Sequence, residues 1–105
     1  TDLSPLKGMQ LEELRLIETK VTDLSPLKGM KLKRLVLTGT KVTDLSPLKG
    51  MQLEELDLDR TGITDLSPLL LDVEVKVLWL DEDQVKDNPK LIRLLQLAGV
   101  EVYIF

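Results

Sequence analysis

Two residue types that carry much of protein chemistry are missing from this chain of 105 residues. It contains no cysteine and no histidine. Without cysteine there is no disulfide, no thiolate nucleophile and no thiolate metal ligand. Without histidine the chain also lacks the commonest general base and the commonest metal ligand. We therefore expect a protein that is not an enzyme and that holds no metal or other cofactor.

Clustered positive charge and long apolar runs are missing as well. The 14 lysines and arginines are outnumbered by 18 aspartates and glutamates, for a net charge of −4. Nucleic-acid binders instead neutralise phosphates with clustered cations. No apolar run approaches the roughly 20 residues of a transmembrane helix. We expect neither nucleic-acid nor membrane binding. No basic and apolar signal segment opens the sequence, so localisation stays open, and the lack of cysteine is compatible with the cytoplasm.

What the chain has instead is a repeat with a period of 21 residues. The nonapeptide TDLSPLKGM stands unchanged at 1–9, 22–30 and 43–51, and TDLSPL returns at 64–69. A fixed period of this length is typical of stacked units that bury a shared apolar core between neighbours. We predict a single domain over 1–105, with 21-residue repeats over 1–69 and a fourth strand and C-terminal cap over 70–105.

Each unit is predicted to hold one short strand and one short helical turn. Leu14 and Leu16 flank Arg15, and this spacing of two indicates a strand with one buried face. The Ser-Pro pair at 25–26 suits the start of a helical or 3₁₀ turn, with the serine hydroxyl as its cap. Gly29 suits the end of that turn because glycine adopts the left-handed conformation cheaply.

The strand half of each unit resembles the leucine-rich repeat family. The matching pattern is L-x-x-L-x-L-x-x-[N/C]-x-L, carried in the first unit by Leu11, Leu14, Leu16, Thr19 and Val21. The SPLKGM half looks like the short bacterial repeats of the internalin type, and the resemblance covers 1–85. It implies an α/β fold, a right-handed solenoid with a short parallel sheet on its concave face and 3₁₀ or short helical segments on its convex face. It also implies protein recognition through exposed strand positions.

One position departs from the family pattern. The family usually has asparagine where this chain has Thr19, Thr40 and Thr61. The asparagine ladder ties successive turns together through side-chain hydrogen bonds to the backbone. Threonine donates a single such bond, so we expect a simpler and weaker ladder.

The C-terminal third is predicted to form a helix–strand cap. Aligning Leu78 and Leu80 with the leucines of earlier strands requires one inserted residue and predicts a strand over 75–80, followed by an acidic turn at 81–83. The segment at 87–90 is typical of a helix start, and Gly99 of its end. The last strand is predicted over 100–105. The apolar face of this helix is wide enough to suggest a further contact.

Exposed strand positions supply the candidate partner-binding surface. Its predicted members are Arg15, Ile17, Arg34, Val36, Asp57 and Trp79. Tryptophan and arginine dominate binding hot spots, and Trp79 is the only tryptophan. A second interpretation stays open, in which Trp79 packs over neighbouring aliphatic side chains at the end of the sheet. One row of variable positions, Glu12, Lys33, Glu54 and Lys76, alternates in charge and predicts ion pairs between strands.

Four aspartates are expected to lie close together if the strands stack in register: Asp57, Asp59, Asp81 and Asp83. Calcium needs six or more converging oxygens, which two flat strands rarely supply. A solvated acidic face is therefore the favoured interpretation.

A second candidate surface lies at the N-terminal end of the array. Leu3, Leu6, Met9 and Leu11 are predicted to lie uncovered beside an open strand edge at 11–17. An unpaired edge is a template for another chain. We predict a homodimer through this end, and simple fraying is the alternative.

Two functions follow from these observations. The identical nonapeptides and the regular Glu/Lys/Arg alternation favour a designed or consensus repeat scaffold with a structural or self-assembly role and no natural ligand. The alternative is a recognition module that binds a protein partner through the concave face of the sheet.

Overall fold

A single parallel sheet organises the chain. The structure is a computed structural model and describes residues 3–105, so that Thr1 and Asp2 of the first nonapeptide lie outside it. Five strands lie in chain order across the sheet. They are β1 (Glu13–Arg15), β2 (Arg34–Val36), β3 (Gln52–Asp57), β4 (Glu74–Leu80) and β5 (Glu101–Ile104). The predicted α/β class with a parallel sheet is confirmed.

Short helical segments connect the strands. Three SPL segments form 3₁₀ turns at Ser4–Leu6, Ser25–Leu27 and Ser46–Leu48. The three α-helices are α1 (Pro68–Leu71), α2 (Glu82–Asp87) and α3 (Pro89–Leu97). No helix in residues 3–105 has the length and apolar character needed to cross a bilayer.

Equivalent residues of successive repeats lie side by side. Leu14 pairs with Leu35, Leu35 with Leu56, and Leu56 with Leu78. The step is 21 residues for the first two pairs and 22 for the third, as the numbering shows. The register therefore contains the predicted inserted residue before β4.

The leucines of the repeats form one continuous core. Leu35, Leu56 and Leu78 are completely buried in the three central strands. In the first repeat Leu16 is buried while Arg15 is exposed, as the spacing of two predicts. Each buried aliphatic side chain contributes roughly 1.5–3 kcal/mol before conformational entropy is subtracted. The buried surface between units is therefore what keeps the copies stacked.

The 3₁₀ turns are not capped in the way we predicted. The carboxylate of Asp23, not the Ser25 hydroxyl, accepts a hydrogen bond from the backbone N–H of Ser25, at 2.9 Å. The serine hydroxyl donates to the same carboxylate oxygen. The contact to the backbone recurs at Asp44 and Asp65, where it holds the carboxyl pKa below its ordinary value. An aspartate two residues before the donor closes this turn locally, so the serine is not needed as a cap.

The segment predicted as an acidic turn begins a helix instead. The Asp81 carboxylate accepts a hydrogen bond from the Gln84 N–H at 2.9 Å, and the Asp81 N–H donates to Gln84 Oε1 at 3.0 Å. This reciprocal capping box satisfies two backbone donors at the start of α2. Glu82 and Asp83 lie in its first turn, where the helix dipole favours negative charge. The predicted helix start at 87–90 is the beginning of a second helix, α3.

Threonines at the motif position bond within their own units. Thr19, Thr40 and Thr61 each donate to the carbonyl three residues earlier, at 3.1, 2.8 and 2.8 Å. The buried side-chain amide of Gln84 in α2 instead forms hydrogen bonds to the last repeat. Its Nε2 donates to the Leu58 carbonyl at 2.8 Å and to Thr61 Oγ1 at 3.2 Å. An amide from the cap therefore joins the last repeat to α2.

Candidate functional site

The sheet face opposite the leucine core presents most of the predicted partner-binding residues in one row. Arg15, Val36, Asp57 and Trp79 occupy equivalent positions on β1 to β4 and are neighbours in the register. Arg34 lies in the adjacent row between Glu13 and Glu55. Ile17 follows the end of β1 and is exposed. The structure therefore brings five of the six candidates into two adjoining rows.

At the β1 end of this face, the arginines are engaged with neighbouring glutamates. Arg15 Nη2 lies 2.9 Å from Glu13 Oε1 on the same strand. Arg34 Nε lies 3.8 Å from Glu55 Oε2 on the next strand. Exposed pairs of this kind contribute about 0–1 kcal/mol. They give this end of the face a regular and charge-balanced surface.

The predicted row of alternating charges makes one weak ion pair at the same end. Lys33 Nζ lies 4.0 Å from Glu12 Oε1, and both side chains are exposed. A contact this long and this solvated contributes little to stability. Backbone bonds from Lys33 and Arg34 to the Glu12 carbonyl, at 2.7 and 3.0 Å, hold the strands together at this point.

At the β4–β5 end lie all three aromatic side chains of the chain. Trp79, Tyr103 and Phe105 form what we call the aromatic cluster. The Trp79 and Tyr103 rings stack with centroids 4.6 Å apart, and Phe105 lies 5.0 Å from Trp79. Trp79 is half-buried, whereas 44% of Tyr103 and 64% of Phe105 is exposed. The cluster is therefore an exposed apolar surface built from two neighbouring strands.

The position of Trp79 corrects one of the two interpretations of this residue. It packs at the end of the sheet against two aromatic side chains that the interpretation did not include, Tyr103 of β5 and Phe105 just after it. Tyr103 is its direct partner in the register. Its indole Nε1 donates to Glu55 Oε1 at 2.6 Å, which fixes the ring orientation. Sequence reasoning missed Tyr103 and Phe105, although their spacing of two places them on one face of a strand.

Beside the aromatic cluster the surface sinks into a depression of about 390 Å³. We call it the acidic depression, and it is lined by Thr38, Asp57, Asp59, Arg60, Asp81 and Phe105. Asp57 is 9% exposed and Asp59 only 4%. Thr38 Oγ1 donates to Asp59 Oδ1 at 3.0 Å, and the Asp59 N–H donates to Asp57 Oδ1 at 3.1 Å. Phe105 belongs to both the cluster and the depression.

Burial changes the protonation of Asp57. Desolvation, together with the neighbouring Asp59 carboxylate, raises the pKa of Asp57 to about 7. Removing a carboxylate from water and placing a like charge beside it both disfavour the ionised form. Asp57 is therefore a carboxyl group that holds its proton until near neutral pH.

The rim of the acidic depression is formed by Arg60. Its Nε lies 3.6 Å from Asp59 Oδ2, and its Nη1 lies 2.9 Å from Glu18 Oε1. The Arg60 N–H donates to Asp81 Oδ2 at 2.8 Å. Arg60 has a φ of +56°, and Glu18 at the equivalent position of the first repeat has +55°. Two non-glycine residues thus hold a left-handed backbone that glycine adopts more easily.

The expected solvated acidic face is wrong for two of the four aspartates, whereas Asp81 is half-buried and Asp83 is exposed. Asp57 and Asp59 are buried and hydrogen-bonded, and Asp81 caps α2, which also contains Asp83. Within residues 3–105 no group of three or more acidic side chains is arranged to hold a metal ion. The burial of Asp57 escaped prediction because its equivalent in the first repeat is Arg15, a charged and exposed residue, so the whole row was expected to face solvent.

The residues predicted for self-association differ in exposure. Leu3 is buried, Leu6 and Leu11 are half-buried, and Met9 is exposed. Packing of the first 3₁₀ turn on the core thus covers part of this end.

At the other end, the apolar face of α3 is partly covered. Ile92 and Leu95 are among its buried residues, whereas Leu94 and Leu97 are exposed.

Comparison of the chain with protein-family models, with curated proteins and with solved structures finds no match.

Proposed function

We propose that this chain is a leucine-rich-repeat solenoid whose exposed sheet face binds a protein partner. The repeat assignment is supported by the agreement of the motif with the observed register. Leu14, Leu35 and Leu56 are equivalent in three copies of the motif and neighbours in the sheet. The parallel strands alternate with short helical turns, as the family resemblance implies.

The observation that carries the binding function is the aromatic cluster. A chain with three aromatic residues groups all of them on one solvent-facing surface, where the large area of Tyr103 and Phe105 is only partly used in packing. Aromatic side chains are enriched at the centres of protein interfaces because they bury much area at a small entropic cost. Arg15, Val36 and Asp57 extend the same row towards β1.

A second candidate is a designed or consensus scaffold with a structural role and no natural ligand. The specific observation in its favour is the identity of the three nonapeptides, together with the charge-balanced β1 end of the face. A surface selected for one partner has irregular side chains over its whole extent. If the chain is such a scaffold, the aromatic cluster serves only to cover the edge of the core beside β5.

Self-association through the N-terminal end is part of the scaffold candidate. Within residues 3–105, β1 pairs with β2 alone, so its other edge carries backbone groups without a strand partner. Such an edge accepts a strand from a second copy. A two-fold dimer would join the two edges and bury Met9.

The experiment that separates the two candidates is selection from a displayed library of random peptides on the immobilised chain. The binding function predicts enriched sequences that lose binding to Trp79→Ala and Arg15→Ala. They should retain binding to Leu71→Ala, which removes an exposed apolar side chain of α1. Failure to enrich any sequence, or equal binding to all three variants, rejects recognition through this face and leaves the scaffold. Circular dichroism of each variant confirms that its fold is intact.

A further inference from the structure

We propose that the partner is recognised through an arginine side chain, which enters the acidic depression while its aliphatic part and guanidinium plane lie against the aromatic cluster. This inference rests on the proposed binding function and specifies the chemistry of the ligand. It follows from the position, the charge and the size of the two adjoining surfaces.

The two surfaces form one continuous binding area. Phe105 lines the acidic depression and also lies 5.0 Å from the Trp79 ring. Trp79 is the register neighbour of Asp57, whose carboxylate lies in the depression. A side chain that occupies the depression is therefore near both Asp57 and the Phe105 ring. An arginine has this combination of a long apolar stem and a charged end.

The charge of the depression is unbalanced. Asp57, Asp59 and Asp81 line it together with one cation, Arg60. Arg60 is shared between Asp59 and Glu18. Among residues 3–105 no lysine or arginine forms an ion pair with Asp57. The raised pKa of Asp57 means that its carboxyl is partly protonated near neutral pH, and a guanidinium beside it favours the ionised form and so releases that proton. A cation from a partner would supply the missing charge in a site where water is partly excluded, so its attraction is stronger than at an open surface.

The chain itself shows how a guanidinium approaches this site. Arg60 Nε lies 3.6 Å from Asp59 Oδ2 in the depression that Asp57 also lines. The volume of about 390 Å³ lies within the range of pockets that hold small ligands, which is roughly 300–1,000 Å³. A second guanidinium in the depression would lie among lining residues that include Arg60 and Phe105.

Guanidinium fits this combination of groups better than ammonium. Its planar group stacks on aromatic faces and donates hydrogen bonds to a carboxylate in a fixed geometry. It also sheds its hydration more easily than the ammonium of lysine. An anionic or nucleic-acid partner, in contrast, would meet the repulsion of Asp59 and Asp81, which also line the depression.

The test uses synthetic nonapeptides of glycine and serine that carry three arginines, and a matched peptide in which citrulline replaces each arginine. Citrulline keeps the shape of arginine and removes its charge. Binding to the full chain is followed through the Trp79 indole N–H in NMR spectra, because Trp79 is the only tryptophan. We expect the citrulline peptide to bind at least about tenfold more weakly, since one such charged contact corresponds to about that factor. A peptide with lysine in place of arginine should bind with intermediate affinity.

Two variants locate the contact and one controls for net charge. At pH 8, above the pKa of about 7 of Asp57, Asp57→Asn and Phe105→Ala should each weaken binding of the arginine peptide by about tenfold. Glu74→Gln removes the same charge from an exposed position at the start of β4 and should change affinity less than twofold, about 0.4 kcal/mol or less. Asparagine has the shape of aspartate, and Phe105 is largely exposed, so both variants should fold.

The outcomes distinguish this inference from the proposed function. Equal binding of the arginine and citrulline peptides, or equal weakening by Asp57→Asn and Glu74→Gln, overturns arginine recognition. Lysine peptides that bind as tightly as arginine peptides contradict the guanidinium assignment. If library peptides bind the aromatic cluster but are insensitive to Asp57→Asn, partner binding stands and only the arginine inference falls. If no peptide depends on the cluster, both fall.

Discussion

The side-chain amide of Gln84 donates a hydrogen bond to the carbonyl of Leu58, 26 residues earlier in the chain, at 2.8 Å. The same nitrogen approaches the Ile63 carbonyl at 3.3 Å, and Gln84 Oε1 accepts from the Asp81 N–H. One buried glutamine thus satisfies backbone groups of the last repeat and of α2 at once. Gln84 therefore links the repeats to the C-terminal cap, together with Asp81, which accepts from the Arg60 N–H, and Asn88, which donates to the Thr64 carbonyl, each at 2.8 Å.

We expect Gln84→Leu to destabilise the protein by roughly 2–3 kcal/mol. Leucine fills a similar volume but removes the amide bonds to the Leu58 and Ile63 carbonyls and leaves the Asp81 N–H without its side-chain acceptor. Thr61 Oγ1 still donates to the Leu58 carbonyl, so the largest loss is at the other groups, at about 1–3 kcal/mol for each that stays dry. Urea unfolding followed by circular dichroism measures the change. Gln96→Leu on the exposed side of α3 is the matched control and should change stability by no more than about 0.5 kcal/mol. Equal effects of the two substitutions would contradict the role of Gln84.

Replacement of Leu35 tests the shared core. Leu35 is fully buried between Leu14 and Leu56, so Leu35→Ala leaves a cavity that neighbouring units cannot close. We expect a loss of about 2–5 kcal/mol. Leu71→Ala removes the same atoms from a side chain that is 80% exposed and should cost less than about 1 kcal/mol. A small effect of Leu35→Ala in thermal unfolding would show that the inward positions are misassigned.

Asp57 should make stability fall as the pH rises towards neutrality. The pKa of Asp57 is raised from 3.8 to about 7 in the folded state, so between these values the folded chain holds a proton that the unfolded chain releases. The stability that the folded state gains from this bound proton is fully present below about pH 4 and is lost as the pH rises through about 7. Because solvent reaches the depression, we expect a loss on the order of 1–2 kcal/mol.

The contribution of Asp57 is isolated by comparing the parent chain with Asp57→Asn. The unfolding free energy of each is measured from pH 4 to pH 8, and the difference between the two is followed. The asparagine variant has no proton to release, so it should gain stability relative to the parent as the pH rises. Glu74→Gln should show no such trend. A constant difference across the pH range for Asp57→Asn would mean that Asp57 is ionised in the folded protein throughout.

The strand positions and their register could be predicted because they depend on a repeated local pattern. Leu14 and Leu16 alternate with exposed residues, and the 21-residue period requires that equivalent leucines meet in neighbouring units. Even the insertion before β4 follows from aligning Leu78 with its equivalents. Such features need only hydrophobic burial and a fixed period.

The features that escaped prediction depend on contacts between distant or polar residues. The segment 81–84 contains an aspartate followed three residues later by glutamine, which is a helix-start signal, but its three consecutive acidic residues suggested a turn. The burial of Gln84 depends on carbonyls of the preceding repeat. The pairing of Tyr103 with Trp79 depends on where α3 returns the chain to the sheet, which no local pattern specifies.

Self-association is tested by the dependence of mass on dilution. If the open edge of β1 pairs with a second copy, sedimentation equilibrium should show a mass near twice the 11.9 kDa of the chain at high concentration, falling on dilution. Met9→Lys places a charge on the exposed part of this end and should shift the equilibrium towards monomer. Leu71→Lys is the control at a distant exposed site. A mass of 11.9 kDa at all concentrations rules out the dimer.

Backbone conformation at the repeat corner supplies a last test. Glu18, Gly39 and Arg60 are equivalent residues of three repeats, and all have positive φ, +55°, +73° and +56°. Only the middle repeat has glycine there. Its Cα faces the Glu18 side chain so closely that an added Cβ would lie 2.6 Å from the Glu18 carboxyl carbon. The left-handed backbone is therefore a first obstacle to a side chain at the middle corner, and the Glu18 carboxylate, which ends a flexible and exposed side chain, would have to move aside.

We expect Gly39→Ala to destabilise the protein by about 1–2 kcal/mol, because a left-handed backbone costs an L-residue of this order. Gly39→Ala in a Glu18→Ala background separates the two causes, since alanine at 18 removes the crowding carboxylate. If steric contact dominates, the double variant recovers most of the loss. If strain dominates, the cost of Gly39→Ala is the same in both backgrounds. No loss in either background, measured by urea unfolding, would contradict a left-handed corner at residue 39.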